Sequence, residues 1–147
     1  MNRCLVLMLL LIAPYAFTQA TQASANDDIV VVVNNKNPVD KMTRSEVIDL
    51  FMGKYVAFPD GNSAIPVELS NEVTTKEKFY KALVNMPLSR INAYWSRLRF
   101  TGRKRTVTIQ ASEDNVVQYI NKTQSAIGYI RRSKLNKNLK VVFELNE

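Results

Sequence analysis

The stretch VELSNEVTTKEKFYKAL, residues 67–83, changes its pattern in the middle. A short apolar run ends at Leu69 and predicts a strand, and small polar residues follow it. A helix is then predicted from about Thr75 to Asn85, with Phe79 on its apolar side. The first N–H groups of a helix have no partner inside the helix, so a strand that reaches a helix through a polar loop can hold an anion. The pattern therefore predicts a candidate anion site in this loop.

The same loop has a second interpretation. Thr74 and Glu77 fit a capping box, in which the helix satisfies its own exposed N–H groups with its own side chains. Glu72 also places a negative charge near the expected anion, which opposes binding unless that side chain turns outward. The residues alone leave both alternatives open, an anion site and a self-capped helix.

Residues 1–25 have the pattern of a secretory signal peptide. Arg3 supplies a basic start, the apolar run CLVLMLLLIA follows, and Ala23–Ala25 fit a small-x-small cleavage site. Such a run is too short to span a bilayer comfortably. We therefore predict a cleaved leader, export to the periplasm, and no stable membrane span in the single mature domain, residues 26–147. An uncleaved membrane anchor is the alternative.

The composition excludes several kinds of chemistry. The chain contains no histidine, and its one cysteine, Cys4, lies in the predicted leader. Cys–His catalysis, Ser–His–Asp catalysis and metal sites with His or Cys ligands are therefore excluded for the mature chain. The acidic residues are scattered, so we predict a non-enzyme with no catalytic residues, no metal and no cofactor.

The charge balance favours an anionic partner. The formal net charge is +7, and for an exported protein this indicates small anions, lipid headgroups or acidic proteins rather than nucleic acid. A positive charge that serves only solubility is the alternative.

The first half of the chain supplies three further signals. Five consecutive apolar β-formers, Ile29–Val33, predict a strand that is buried on both faces. Thr43 and Glu46 fit a capping box at the start of a helix that Gly53 would end. Pro66, in a second short strand, predicts either an edge position or an early break in pairing.

The second half continues the alternation of helices and strands. Pro87 can begin a helix whose core stripe contains Leu88, Ile91, Trp95 and Leu98, and a helix capped by Ser112 follows. Two strands, in residues 125–130 and 139–145, complete the chain. The order β-α-β-α-α-α-β-β predicts a single α/β layer sandwich.

Two basic segments are candidates for docking a partner. The first contains Arg97, Arg99, Arg103, Lys104 and Arg105, and the second contains Arg131, Arg132, Lys134 and Lys137. An acidic protein or an anionic lipid surface is the functional interpretation of the first segment. A solvated helix end is the alternative, since positive charge there also suits the helix dipole.

Asn34 is a further candidate contact for a ligand. It ends the first predicted strand, and open α/β sheets tend to hold ligands at the carboxyl ends of their strands. Asparagine in such a loop is also an ordinary turn former.

The chain resembles one lobe of a periplasmic solute-binding protein of the phosphate ABC-transporter type, within the type II periplasmic-binding-protein-like superfamily. The segments that carry the resemblance are NPVDKMTRSEVIDLFMGK (37–54), FPDGNSAIPVELS (58–70), KEKFYKAL (76–83), AYWSRLRFTGR (93–103) and SEDNVVQYINKTQSAIGYI (112–130). The resemblance implies a single α/β lobe with a mixed sheet flanked by helices. It also implies binding of phosphate or another small inorganic oxyanion, linked to transport.

The phosphate loop of the family is altered in this chain. The family loop resembles R-D-E-G-S-G-T followed by x-x-x-F, and Phe79 aligns Thr75 with the final threonine. Thr74 and Glu72 then stand at the glycines, and Leu69 stands at the arginine. The resemblance thus implies a weak anion site whose candidate contacts are Thr75, Thr74, Ser70, Asn71 and Asn34. The alternative function is an interaction module built on such a lobe, which docks its basic surface onto an acidic envelope or transport protein.

Overall fold

A computed structural model describes residues 28–71, 73–103 and 107–145. The strands are β1 Ile29–Asn34, β2 Ile65–Leu69, β3 Thr108–Gln110, β4 Ala126–Arg131 and β5 Leu139–Glu144. The helices are α1 Arg44–Phe51, α2 Thr74–Val84, α3 Leu88–Phe100 and α4 Glu113–Lys122, with a 3₁₀ turn at Arg132–Lys134. The predicted α/β fold class is confirmed. The order differs from the predicted one by one strand, because the brief extended stretch before α4 forms β3.

The sheet is mixed, as predicted. Its five strands lie in the order β3-β2-β4-β1-β5. Strand β2 runs parallel to both β3 and β4, whereas β1 runs antiparallel to both β4 and β5. The carboxyl ends of β2 and β3 therefore meet at one end of the sheet, and β1 ends at the opposite end.

Strand β1 forms the centre of the core. All six of its residues are buried, and Val30–Val33 are completely inaccessible to solvent. Complete burial of one such side chain contributes about 1.5–3 kcal/mol, so this run is a large source of stability. The predicted strand with two buried faces is confirmed.

Helices cover both faces of the sheet. A Cβ atom added to Gly128 of β4 would lie 2.9 Å from Val116 Cγ1 of α4. The next residue, Tyr129, projects to the other face, because side chains alternate along a strand. There it stacks on Phe79 of α2 at 3.8 Å between ring centroids and meets the edge of Phe51 of α1. Helix α4 thus covers one face, and α1 and α2 cover the other.

The predicted ends of α1 are confirmed. The Thr43 N–H donates to Glu46 Oε2 at 2.7 Å, and the Glu46 N–H donates to Thr43 Oγ1 at 3.3 Å, which completes the capping box. Gly53 follows the helix with φ of +73°, and an added Cβ there would lie 2.5 Å from Trp95 Cη2. Glycine therefore permits both the left-handed turn and the close approach of α3.

Pro66 corresponds to an early break in pairing rather than to an edge strand. Strand β2 lies between β3 and β4, but β3 pairs with it only from Val67 onward. Pro66 pairs with Ile127 of β4 alone.

Several sequence predictions lie outside the described residues, namely the leader (residues 1–25), Glu72, Lys104 and Arg105. Among the residues that the structure describes, no helix combines the length and the apolar character needed to cross a membrane.

Candidate functional site

The predicted anion loop connects the end of β2 to the start of α2. The Ser70 N–H donates to the Gln110 carbonyl at 2.9 Å, which holds the start of the loop against the end of β3. The Val73 N–H donates back to the Ser70 carbonyl at 3.2 Å. The loop is thus a tight turn at the carboxyl ends of two parallel strands, where open α/β sheets tend to bind ligands.

Helix α2 begins without a side-chain cap. Its N-cap residue is Val73, which has no side-chain oxygen and makes no side-chain capping hydrogen bond. Thr74 is the first helical residue, so its hydroxyl is one position too late to act as the N-cap. The predicted capping box of Thr74 and Glu77 is therefore wrong, and the threonines do not cap the helix.

Four of the five candidate anion contacts lie together in this turn. Asn71 and Thr74 are exposed, Ser70 is half-buried, and Thr75 is only 4% exposed. The four residues therefore differ in how accessible they are to a ligand, and Thr75 is the least accessible. Their proximity was expected from the chain order, and their role in ligand binding remains a prediction.

Asn34 lies elsewhere. Strand β1 is antiparallel to β4 and β4 is parallel to β2, so the end of β1 lies beside the beginning of β2 and not beside its end. Asn34 Nδ2 donates to the carbonyls of Ile120 at 2.9 Å and Asn121 at 3.1 Å, and Asn34 Oδ1 accepts from the Lys36 N–H. Asn34 therefore joins β1 to the end of α4, and the structure does not bring it together with the other four candidate contacts.

A buried charged cluster lies directly beneath the loop. Glu68 of β2 is completely buried and Lys76 of α2 is 4% exposed. Lys76 Nζ lies 3.1 Å from Glu68 Oε2, and the Tyr80 hydroxyl donates to Glu68 Oε1. The positive charge of Lys76 is thus matched by Glu68, and Lys76 does not act as a spare cation for the loop.

Sequence reasoning missed this cluster although a signal exists. Lys76 stands three, four and seven residues before Phe79, Tyr80 and Leu83, which are all buried on one side of α2. A lysine on an apolar helix face requires a buried counter-ion. Glu68, the acid within the predicted strand next to it, is the nearest candidate in the sequence.

The first basic segment is exposed. Arg97 and Arg99 lie in the last turn of α3, and Arg103 follows three residues after the helix. Arg99 Nη2 donates to Ser96 Oγ at 3.2 Å. Among the described residues, no carboxylate lies within ion-pair distance of these three arginines.

Two of the three arginines line a groove of about 860 Å³ between α3, β3 and the anion loop. The lining residues are Asn71, Lys76, Asn92, Trp95, Ser96, Arg99, Gly102, Arg103, Val107 and Ile109. Arg97 is not among them. The groove therefore combines an apolar floor with guanidinium groups, and it contains no carboxylate of the described chain.

The second basic segment has acidic partners. Arg131 Nη2 lies 2.7 Å from Glu113, Arg132 Nη2 lies 2.8 Å from Glu144, and Lys134 Nζ lies 2.9 Å from Asp114. The hydrogen bond that the Arg132 guanidinium donates to the Glu144 carboxylate raises the pKa of Arg132 above its ordinary value, although burial opposes the shift. This segment connects β4, α4 and β5.

Metal-ligating side chains do not gather in the described part of the chain. Within it, no group of three or more His, Cys, Asp or Glu residues is placed to hold a metal ion.

Sequence comparison identifies no relative. No protein-family profile matches the chain, and no curated protein sequence matches it.

The fold does match solved structures. A phosphate ABC transporter substrate-binding protein from Clostridium perfringens with bound phosphate aligns with a TM-score of 0.64 and 18% identity, over 79% of this chain and 44% of that protein. An ABC-type phosphate transport receptor from Vibrio cholerae aligns with a TM-score of 0.61 and 17% identity, over 79% and 45%. PstS from Borrelia burgdorferi aligns with a TM-score of 0.59 and 11% identity, over 79% and 46%.

The chain spans less than half the length of these structures. At such low identity the likeness concerns the fold. The α/β architecture and the resemblance predicted from the sequence are confirmed: the described chain has the fold of a single lobe of the phosphate ABC-transporter substrate-binding proteins.

Proposed function

We propose that this protein binds phosphate or a similar oxyanion weakly at the first turn of α2, as a non-enzymatic periplasmic solute-binding component linked to transport. The observation that carries the proposal is that the N-cap of α2 is Val73, whose side chain makes no capping hydrogen bond. The first-turn amides are therefore not occupied by the threonines that were expected to cap them. The similarity in fold to a protein with bound phosphate supports phosphate as the ligand.

The ligand contacts would come from the turn itself. Thr74 and Thr75 are the first two residues of α2, and the N–H groups of a first helical turn lack partners inside the helix. The Thr75 hydroxyl, Ser70 and Asn71 would supply the side-chain contacts. The attraction of an exposed helix end for one charge is only about 0.3–1 kcal/mol. Lys76 adds little, because Glu68 compensates its charge at 3.1 Å. These contacts support a weak site for a small anion.

Phosphate titration tests this proposal. We expect saturable stabilisation of the purified chain by phosphate in thermal unfolding, and heteronuclear NMR shifts centred on the Thr74 and Thr75 amides. Thr75→Ala removes one of the few side-chain donors and should weaken binding at least about threefold, the effect of one hydrogen bond worth about 0.7 kcal/mol.

Two variants act as controls for Thr75→Ala. Thr75→Ser keeps the hydroxyl and should bind almost as the parent protein does. Thr123→Ala, at the far end of the sheet, should leave binding unchanged. An absence of any response to phosphate or sulfate would overturn the proposal, and binding that persists in Thr75→Ala would place the anion elsewhere.

We propose docking of an acidic partner as a second candidate function. It is favoured by a specific observation, since Arg99 and Arg103 line the groove and have no carboxylate partner among the described residues. In this role the lobe would serve as a non-catalytic interaction module that binds an acidic envelope or transport protein.

A further inference from the structure

Within the described residues, strand β3 leaves one of its edges unpaired. It is the outermost strand of the sheet and pairs on one side only, with β2. The register pairs Leu69 with Gln110, and the Gln110 carbonyl accepts from the Ser70 N–H. In a parallel ladder each residue directs its N–H and C=O to the same neighbouring strand, and successive residues alternate. Both backbone groups of Ile109 therefore point away from β2.

The side chain of Ile109 is also exposed. It is 61% accessible to solvent, although it lies beside Glu68 in the register of the sheet. Together with Val107 and Trp95 it forms the apolar part of the groove next to α3. An apolar side chain beside a free strand edge is the arrangement that an added strand would cover.

The charged side chains that line the groove above this floor, among the described residues, have one sign. Arg99 projects from α3 and Arg103 follows the helix, and both line the same groove. Lys76 is also part of the lining, but Glu68 compensates it. The uncompensated charge of the groove therefore comes from the two guanidinium groups, which bind carboxylates through paired hydrogen bonds.

We propose that the edge of β3 and this groove bind an extended acidic segment of a partner protein as an added strand. The inference rests on the second proposed function and specifies how the partner would bind. The backbone of the segment would exchange hydrogen bonds with Ile109. On its α3-facing side, apolar side chains would cover Ile109 and Trp95, and carboxylates would bind Arg99 and Arg103.

Other occupants fit this surface less well. A second copy of this chain carries the same formal net charge of +7, so it would meet a cationic groove with net repulsion. A small anion would use the guanidinium groups but leave the backbone groups of Ile109 and the apolar floor uncovered. An extended acidic peptide uses all three features.

A pair of model peptides tests the charge requirement. A fluorescein-labelled peptide that repeats Val-Thr-Glu-Thr carries Val and Glu in alternation on one face of an extended strand. It should bind saturably in fluorescence anisotropy at low salt, and the Val-Thr-Lys-Thr counterpart should not bind. Arg99→Gln combined with Arg103→Gln should weaken binding about fivefold, as expected for the loss of two exposed ion pairs. Arg97→Gln is the matched control, because Arg97 lies in the same helical turn but not in the groove, and it should have no effect.

A proline substitution tests the added strand. Ile109→Pro removes the outward N–H without removing a ladder bond to β2, and proline is tolerated at such edge positions. We expect this variant to keep its unfolding temperature and lose the peptide. Ile109→Thr keeps the N–H and should bind more weakly than the parent but better than the proline variant. If Ile109→Pro does not fold, hydrogen exchange of the Ile109 amide in the parent protein gives the same information, and the peptide should slow it.

The outcomes distinguish docking of an acidic partner from its binding as an added strand. If the acidic peptide binds and depends on the arginines but not on the Ile109 N–H, acidic docking stands and the added strand is wrong. If the acidic and the basic peptide bind equally, or neither binds, both the docking function and the strand mode are overturned. Binding to vesicles of anionic lipid without binding to the peptide would likewise overturn them, in favour of a membrane surface.

Discussion

The two basic segments look alike in the sequence and differ in the structure. The segment at the end of α3 places Arg97, Arg99 and Arg103 in solvent without carboxylate partners among the described residues. The segment after β4 places each of its first two arginines against an acid at 2.7–2.8 Å. Charge density alone therefore does not identify a docking surface, since the second segment uses its charge to hold the fold together.

The position of the acids explains the difference. Glu113 and Asp114 occupy the first turn of α4, where negative charge suits the helix dipole. That turn lies beside the end of β4, so Arg131 and Lys134 reach it. No acidic residue lies in the last turn of α3 or in the described residues that follow it up to Arg103. One segment is thus structural, and the other remains available to a partner.

The largest expected effect comes from the buried pair beneath the anion loop. Glu68→Gln keeps a polar side chain but leaves the charge of Lys76, which is 4% exposed, without its counter-ion. Breaking such a pair costs about 3–5 kcal/mol. Urea denaturation should therefore show a large drop in the free energy of unfolding.

The double variant Glu68→Gln/Lys76→Met provides the control. It removes both charges and should recover most of the stability. A single variant that loses less than about 1 kcal/mol would contradict the view that this pair is held out of water.

The second prediction concerns the paired basic segment. Glu113 is 5% exposed and accepts from the Arg131 N–H at 2.7 Å and from Arg131 Nε at 2.8 Å. Hydrogen bonds to charged groups contribute about 1.5–3 kcal/mol, and Arg131 is partly exposed, which lowers the total. We expect Glu113→Gln to lower the free energy of unfolding by about 2 kcal/mol, measured by urea denaturation.

Asp114→Asn is a matched control on the same helical turn. Its ion pair with Lys134 is exposed, and such pairs contribute about 0–1 kcal/mol. If Glu113→Gln and Asp114→Asn lowered the free energy of unfolding equally, burial would not determine how much each of these two ion pairs contributes.

The smallest expected effect belongs to the unpaired segment. Arg99→Gln should change the free energy of unfolding by less than about 0.5 kcal/mol, as is usual for a surface substitution, because Arg99 has an exposed hydrogen bond to Ser96 but no carboxylate partner among the described residues. A thermal unfolding measurement of Arg99→Gln beside Arg132→Gln checks this, because Arg132 has a carboxylate 2.8 Å away and should show the larger change. A clear destabilisation by Arg99→Gln would remove the contrast between the two segments.

Much of the fold follows from local patterns. The apolar run of β1, the capping box of Thr43 and Glu46, and the Ser112 cap of α4 all appear in the structure as predicted. The start of α2 does not, since the helix begins one residue earlier than the capping pattern of Thr74 requires. A capping motif indicates which residues could cap a helix, but the turn that leads into the helix determines which residue is the N-cap.

Less of the candidate site than of the fold could be predicted from the sequence. Ser70, Asn71, Thr74 and Thr75 are neighbours in the chain, so their proximity follows without a fold. The position of Asn34 relative to the anion loop depends on the direction of β1, which local residue preferences do not specify. Glu68 and Lys76 were missed because charged residues are normally on the surface, and only the packing of α2 on β2 buries them together.

The sequence by itself determined the order and type of most elements, because hydrophobic periodicity and capping residues act within a few positions of the chain. The tertiary structure alone decided the antiparallel direction of β1, the burial of the Glu68–Lys76 pair, and which basic segment meets acidic partners. These features depend on contacts between residues distant in the chain, whose geometry is set by strand register and helix packing rather than by local preference.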